Sequence, residues 1–188
     1  MNLEAADIVL VGGKSFVSRG IQWGQVSKGE KRVGWNHGAI VTRPLTHEIV
    51  SSDWPRVQLK SLYEYADADK YRVAIYRARN IAPRVKVMMA AAAEERVGRR
   101  YPVLELGLHF LDNKLFGGRY KARAFGSSTL EVCTEVIGQV YLKYGFAFGV
   151  EGGGLAPDDI WRFVNDQDRT YYDCIMPPGP LVKPEGFR

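Results

Sequence analysis

Two cysteines and three histidines are all that this 188-residue chain carries of either type, and no apolar run approaches the ~18 residues a helix needs to cross a bilayer. Cys133 and Cys174 are too few for a disulfide framework, and neither has the neighbours of a metal-ligand pair. Free thiols are expected, with no metal and no other cofactor. Internal repeats are missing, as are Ser/Gly or Pro linkers in the middle of the chain. The first residues carry Glu4 and Asp7 where a leader has basic and then apolar residues. No export signal is therefore expected, which leaves the cytoplasm by default, or release by lysis or in a particle.

What is present is an ordinary globular composition, 46% hydrophobic and 25% charged with a mean hydropathy of -0.22, long enough for one well-cored domain over residues 1–188. The net charge of +5 is spread among 21 acidic residues, so it favours anionic partners in general and carries no specific nucleic-acid signal. The oligomeric state is not legible.

Asp7 to Val11 reads as a buried strand ending at Gly12-Gly13, and Ser15 to Trp23 as a short helix followed by a charged loop at Lys28 to Arg32. Asn36 to Thr42 predicts a strand, Arg43 to Thr46 a turn, and His47 to Ser52 its antiparallel partner. A helical stretch around Ser61 to Tyr65 precedes a strand at Tyr71 to Tyr76. Pro83 to Arg96 is a helix with Pro at its start and Gly98 as its stop. Tyr101 to Phe116 reads as helix and Lys114 to Arg123 as a basic loop. Thr129 to Tyr144 is the clearest amphipathic helix, since Val132, Val136 and Val140 adjoin Ile137, Tyr141 and Tyr144. A last helix opens at Pro157-Asp158-Asp159, where the carboxylates suit capping and the helix dipole. The tail after Met176, with four of the nine prolines, is expected to be irregular. Strands early and helices late predict an α+β fold, a small antiparallel sheet packed against helices.

Cys133 stands near the start of the amphipathic helix. There, free amides and the helix dipole stabilise a thiolate below the ~8.5 of an ordinary cysteine and can hold an oxyanion. A thiol nucleophile also needs a base. Of the three histidines, His47 falls at a turn and His109 in an apolar helix; His37 opens a strand beside Gly38 and Ala39, where a ring can face a helix. Two helix starts are compatible with the residues. Ser128-Thr129-Leu130-Glu131 fits a capping box that would put Cys133 in the second turn, while an extended Thr129 to Val132 would let the helix begin at Cys133.

The runs Asp7 to Val11, Ser18 to Gly24, His37-Gly-Ala-Ile-Val and Cys133-Thr-Glu-Val, in that order, resemble the circularly permuted NlpC-like (papain-like) cysteine peptidases. More narrowly they resemble the YiiX-like branch, distant relatives of the lecithin:retinol acyltransferases. The resemblance implies a thiolate-imidazolium pair of Cys133 and His37 that attacks an amide, ester or thioester carbonyl. It also implies a polar third residue from the strand after the histidine. With the turn centred between Pro44 and Leu45, Ser52 lies across from His37; a slip of one residue substitutes Ser51, and Glu48 shares that face. The substrate class implied is a peptidoglycan-type peptide, cut by an amidase or endopeptidase. The alternatives are an acyltransferase, thioesterase or lipid deacylase on an acylated substrate, and an inactive binding or structural module.

Other features have plainer explanations. A cysteine in an apolar segment, such as Cys174, is usually core. The Gly149 to Gly154 loop lacks the Lys-Ser/Thr of a phosphate loop. The bases between Lys114 and Arg123 suit a solvated loop.

Overall fold

The computed structural model describes residues 1–13, 34–53, 55–100, 133–148, 155–166 and 171–184. The expected helices at Ser15 to Trp23 and Tyr101 to Phe116, the loops at Lys28 to Arg32, Lys114 to Arg123 and Gly149 to Gly154, and the stretch Thr129 to Val132 lie outside them.

Six strands form one antiparallel sheet: β1 (Ile8–Gly13), β2 (His37–Arg43), β3 (Glu48–Asp53), β4 (Arg56–Ser61), β5 (Tyr71–Ala78) and β6 (Tyr172–Gly179), in the order β4-β3-β2-β1-β5-β6. β1 is central, and its residues reach two separate cores. Ile8 and Leu10 join Ile40, Val50, Ala74 and Tyr76 on one face, while Val9 and Val11 join Ala39, Val41, Ile49, Val73 and Ile75 on the other. A strand covered on both faces needs no polar alternation, which is why Ile-Val-Leu-Val reads as an unbroken apolar run.

Among the described residues three helices pack on the first face: α1 (Pro83–Glu94) through Met89, Ala92 and Ala93, α2 (Cys133–Lys143) through Val136, Ile137, Val140 and Tyr141, and α3 (Pro157–Asp166) through Ile160 and Val164. The 3-10 helix Leu62–Tyr65 contributes to the second core. The fold is thus α+β, a sheet with helices against it. Among the described residues no helix is long and apolar enough to cross a membrane.

A polar knot ties the chain start to this frame. Asp7, 1% exposed, receives both arms of Arg77 at 2.8 and 2.7 Å and the Glu4 N–H at 2.8 Å. Glu4 in turn pairs with Arg77 at 2.9 Å and Lys86 of α1 at 2.7 Å. A buried carboxylate is tolerable only with such partners. Beside the knot, the Tyr141 hydroxyl of α2 donates 2.6 Å to the Ala6 carbonyl, joining the helix to the entry of β1.

One strand was not foreseen, and three expectations need correction. Arg56–Ser61 is a strand, although Arg56, Gln58 and Lys60 give it little apolar signal; it pairs with β3 along its whole length. The tail is not irregular from Met176, because β6 runs through Pro177 and Pro178 to Gly179. It lies at the end of the strand order, where a missing N–H need not interrupt a ladder. Cys174, on that edge, is exposed and not core. Finally, the two carboxylates differ: Asp159 caps α3, accepting the Ala156 N–H at 2.9 Å, while Asp158 is 3% exposed and accepts the Trp35 N–H at 3.0 Å, linking α3 to the approach to β2.

Tyr141→Phe keeps the ring packing but strands the Ala6 carbonyl. Urea unfolding should show a loss of about 1–2 kcal/mol; an unchanged midpoint would mean that this bond does not tether α2 to β1.

Candidate functional site

The site is built on the β2-β3 hairpin, whose register differs from the expected one. Arg43 pairs with Glu48, so the loop is the four residues Pro44 to His47, and His47 takes a positive φ of 55°. A one-residue irregularity between Val41 and Arg43 then gives Val41 opposite Ile49, Ile40 opposite Val50 and Ala39 opposite Ser51. Two residues further along, the same register sets His37 across from Asp53, and not from Ser52. Since side chains alternate along a strand, Ser51 and Asp53 share the face of His37 while Ser52 and Glu48 point the other way.

On that face the imidazole is held closely. His37 Nε2 lies 2.6 Å from Ser51 Oγ and 3.5 Å from Asp53 Oδ1, and Ser51 Oγ donates to Asp53 Oδ2 at 2.9 Å. Asp53 also meets Lys60 Nζ of β4 at 2.5 Å. The Tyr65 hydroxyl is 3.3 Å from Ser51 Oγ, its ring is 5.9 Å from the imidazole, and Lys60 Nζ stands 4.4 Å from the Tyr65 ring centre.

Cys133 approaches from the helical face. The β2-β3 ladder begins at Ala39 and Ser51; one residue earlier, the Gly38 N–H is near enough to the Cys133 sulfur to favour its thiolate. The Thr134 N–H favours the thiolate in the same way. Thr134 is pinned in turn by donating its hydroxyl to the Leu155 carbonyl. Gly38 makes the approach possible, because a Cβ there would lie 2.9 Å from Ile137 Cδ1 and 3.1 Å from Thr134 Cγ2. His37 and α2 therefore leave β2 on opposite faces, and the thiol comes within one peptide unit of the histidine where β2 and β3 stop pairing.

Burial dominates the electrostatics. It pushes the Cys133 thiol up to about 11, against the N–H donors of Gly38 and Thr134 and helped by the Asp53 charge. The expected lowering by the helix start is outweighed: Cys133 is 6% exposed, and removing a thiolate from water costs more than two or three amides return. Burial likewise lowers His37 to about 4, with Asp53 pulling upward and Lys60 downward. Asp53 is pushed up by burial, but His37, Lys60 and Ser51 outweigh this and hold it below the ordinary carboxylate range. The resting pair is a neutral thiol and a neutral imidazole beside an ionised carboxylate.

Of the residues singled out in the sequence, the structure brings Cys133 and His37 to the same end of β2 and puts Ser51 on the imidazole. Ser52 and Glu48 are not there: Ser52 is buried on the opposite face, and Glu48, at the far end of β3, accepts from Thr46 at 2.8 Å. Asp53, Lys60 and Tyr65 were not among the candidates. The one signal for Asp53 was loop length, which a four-residue turn plus a bulge altered by one position.

The fold is similar to that of YiiX. The crystal structure of this metalloprotein from Escherichia coli, a domain family of unknown function, matches with a TM-score of 0.52 at 15% identity, over 76% of this chain and 67% of that one. No family model and no curated protein matches. At that identity the likeness to YiiX concerns the fold alone, and it covers most of the sheet-and-helix frame described above.

Two measurements follow from the geometry. Gly38→Val should force α2 away from β2, costing roughly 1–3 kcal/mol in urea unfolding and raising Cys133 accessibility to thiol reagents; retained burial of Cys133 would show the contact to be soft. For His37, the unfolded chain takes up a proton near 6.5 and the folded one near 4. Stability should therefore be full above the first value and fall by about 3 kcal/mol as pH drops through this window, then level off. His37→Gln should abolish that component, and a wild-type slope persisting unchanged in the variant would refute the assignment.

Proposed function

We propose that the chain is a cysteine hydrolase of the permuted papain-like type, in which Cys133 is the nucleophile, His37 the base and Asp53 the residue that orients the imidazole. The observation that carries this reading is the delivery of the Cys133 sulfur to the Gly38 N–H, the residue next to His37, while His37 Nε2 is engaged by Ser51 and Asp53. Nε2 being committed, Nδ1 is the nitrogen left to exchange a proton with the thiol.

The chemistry proceeds from the neutral pair. As the sulfur attacks a carbonyl carbon, the thiol proton passes to His37 Nδ1, and the amides at the start of α2 receive the negative oxygen. The tetrahedral adduct collapses, the imidazolium returns its proton to the leaving group, and the acyl group remains on Cys133 as a thioester. Water, deprotonated by His37, then releases the acid and restores the thiol. Asp53 stabilises the imidazolium without taking its proton, as a partly buried carboxylate held by Lys60 can.

A resident metal does not fit these residues. Among the described residues no three His, Cys, Asp or Glu side chains gather as a ligand set. Beside His37, the Lys60 ammonium already occupies the carboxylate at 2.5 Å. The metal implied by the name of YiiX is not carried over to this chain.

The substrate favoured is a peptidoglycan-type peptide, for which the support is the resemblance of the His37 and Cys133 segments to NlpC-like peptidases. Purified cell-wall fragments should yield new amines on incubation with the protein, whereas release of fatty acid from an ester or thioester would instead make it a deacylase. Cys133→Ala should abolish either activity, and His37→Ala and Asp53→Asn should lower it roughly 10²–10⁴-fold. Full activity in Cys133→Ala, or none on any acyl substrate, would leave a binding module on this fold.

A further inference from the structure

The hydrogen bonds around His37 contain more information than its partners' names. Ser51 Oγ has one proton to give and two lone pairs to offer. Three groups surround it: Asp53 Oδ2 at 2.9 Å, His37 Nε2 at 2.6 Å and the Tyr65 hydroxyl at 3.3 Å. An ionised carboxylate can only accept, so the serine proton goes to Asp53. Its lone pairs then have to be met by donors, from Tyr65 on one side and from the imidazole on the other.

Lys60 sets the other end of this chain. An ammonium can only donate, and Lys60 Nζ meets Asp53 at 2.5 Å and stands 4.4 Å from the Tyr65 ring centre. Beside that ammonium the tyrosine oxygen faces a donor, and its own proton is the one it can give to Ser51. Every bond in the set Lys60, Tyr65, Ser51, Asp53 then runs one way, from the group that can only donate to the group that can only accept.

We propose that Lys60, acting through Tyr65 and Asp53, is a positioning residue that fixes His37 in the tautomer with its proton on Nε2, and so presents Nδ1 as the base. This deepens the hydrolase reading and rests on it only for the use to which Nδ1 is put; the tautomer itself is a property of the folded chain.

Lys60 has a second effect through charge. Among the described residues, the charged or titratable groups about the imidazole are Asp53 of β3, Lys60 of β4, Tyr65 of the 3-10 helix and Cys133 of α2, with Glu64 lying 3.7 Å behind Lys60. Asp53 draws a proton onto the ring and Lys60 opposes it. The lysine thereby keeps the imidazole neutral, and able to accept a proton, beside a carboxylate that would otherwise favour its cation. Arginine can replace this charge, and methionine replaces only the stem.

The test is the nitrogen NMR spectrum of His37 in protein labelled at histidine, recorded from pH 8 to the acid limit of folding. Wild type should show a protonated Nε2 and an unprotonated Nδ1 at neutral pH. Lys60→Met should raise the protonation midpoint of His37 by about one unit or more and slow alkylation of Cys133 at neutral pH roughly 10-fold or more, while Lys60→Arg should restore both. Tyr65→Phe, which keeps the ring, provides a second variant: it should weaken the Nε2–H preference without moving the midpoint as far. A wild-type ring protonated on Nδ1, or a midpoint and tautomer unmoved in Lys60→Met, would overturn the proposal. If the tautomer and midpoint respond as expected but Cys133→Ala leaves the acyl activity intact, the hydrolase reading fails and this one stands. If Cys133→Ala is inactive but the ring ignores Lys60, the reverse holds.

Discussion

The arrangement depends on one missing side chain. Gly38 lets α2 lie against β2 so closely that a single added carbon would meet Ile137 and Thr134 within 3.1 Å. Through that gap the Cys133 sulfur reaches a strand amide that the β2-β3 ladder does not use. Move the helix outward by the width of a methyl group and the thiol loses the Gly38 N–H and part of its burial together. The rest of α2 is fastened so that this cannot happen cheaply: Tyr141 is bonded to the Ala6 carbonyl, Thr134 to the Leu155 carbonyl, and Val136, Ile137 and Val140 are buried against the sheet.

Such closeness has an electrostatic consequence. A thiol and an imidazole taken out of water both prefer to be neutral, and the described donors to the sulfur do not reverse this for Cys133. The polar group on the other face of β2 works in the opposite sense, since Asp53 favours an imidazolium and Lys60 moderates it. Reactivity in such a site depends on creating charge at the moment of attack, where it can be met by groups already in place. In the reading proposed above, a buried, neutral thiol beside a preformed carboxylate-lysine pair fits that division of labour.

Much of the frame was legible along the chain because it follows from local patterns. The apolar run at Ile8 to Val11, the proline-started helix ending before Gly98, and the valine and isoleucine rows of α2 each carry their own signal, and each corresponds to an element of the structure. Arg56–Ser61 was hidden because a strand paired along β3 can alternate with charged residues and need not look apolar. The segment through Pro177 and Pro178 was misleading for a related reason: proline forbids a strand only where its N–H is needed, and at the end of a strand order it is not.

By itself the sequence determined the two side chains to consider as a thiol-imidazole pair, Cys133 and His37, because the chain has so few cysteines and histidines and because their surroundings, a helix start and a strand start, are local features. Only the tertiary structure decided what stands beside them. Whether Ser51, Ser52 or Asp53 faces the imidazole turns on a one-residue bulge between Val41 and Arg43 and on the backbone of His47, and in a strand one residue is the difference between faces. That Lys60 and Tyr65 complete the group is further still from local pattern, since it requires β4 to pair with β3 and the 3-10 helix to fold back over them. The strength of the thiol's acidity was likewise undecidable from position in a helix, because burial, which outweighs the helix start here, is a property of the packed chain and of no segment alone.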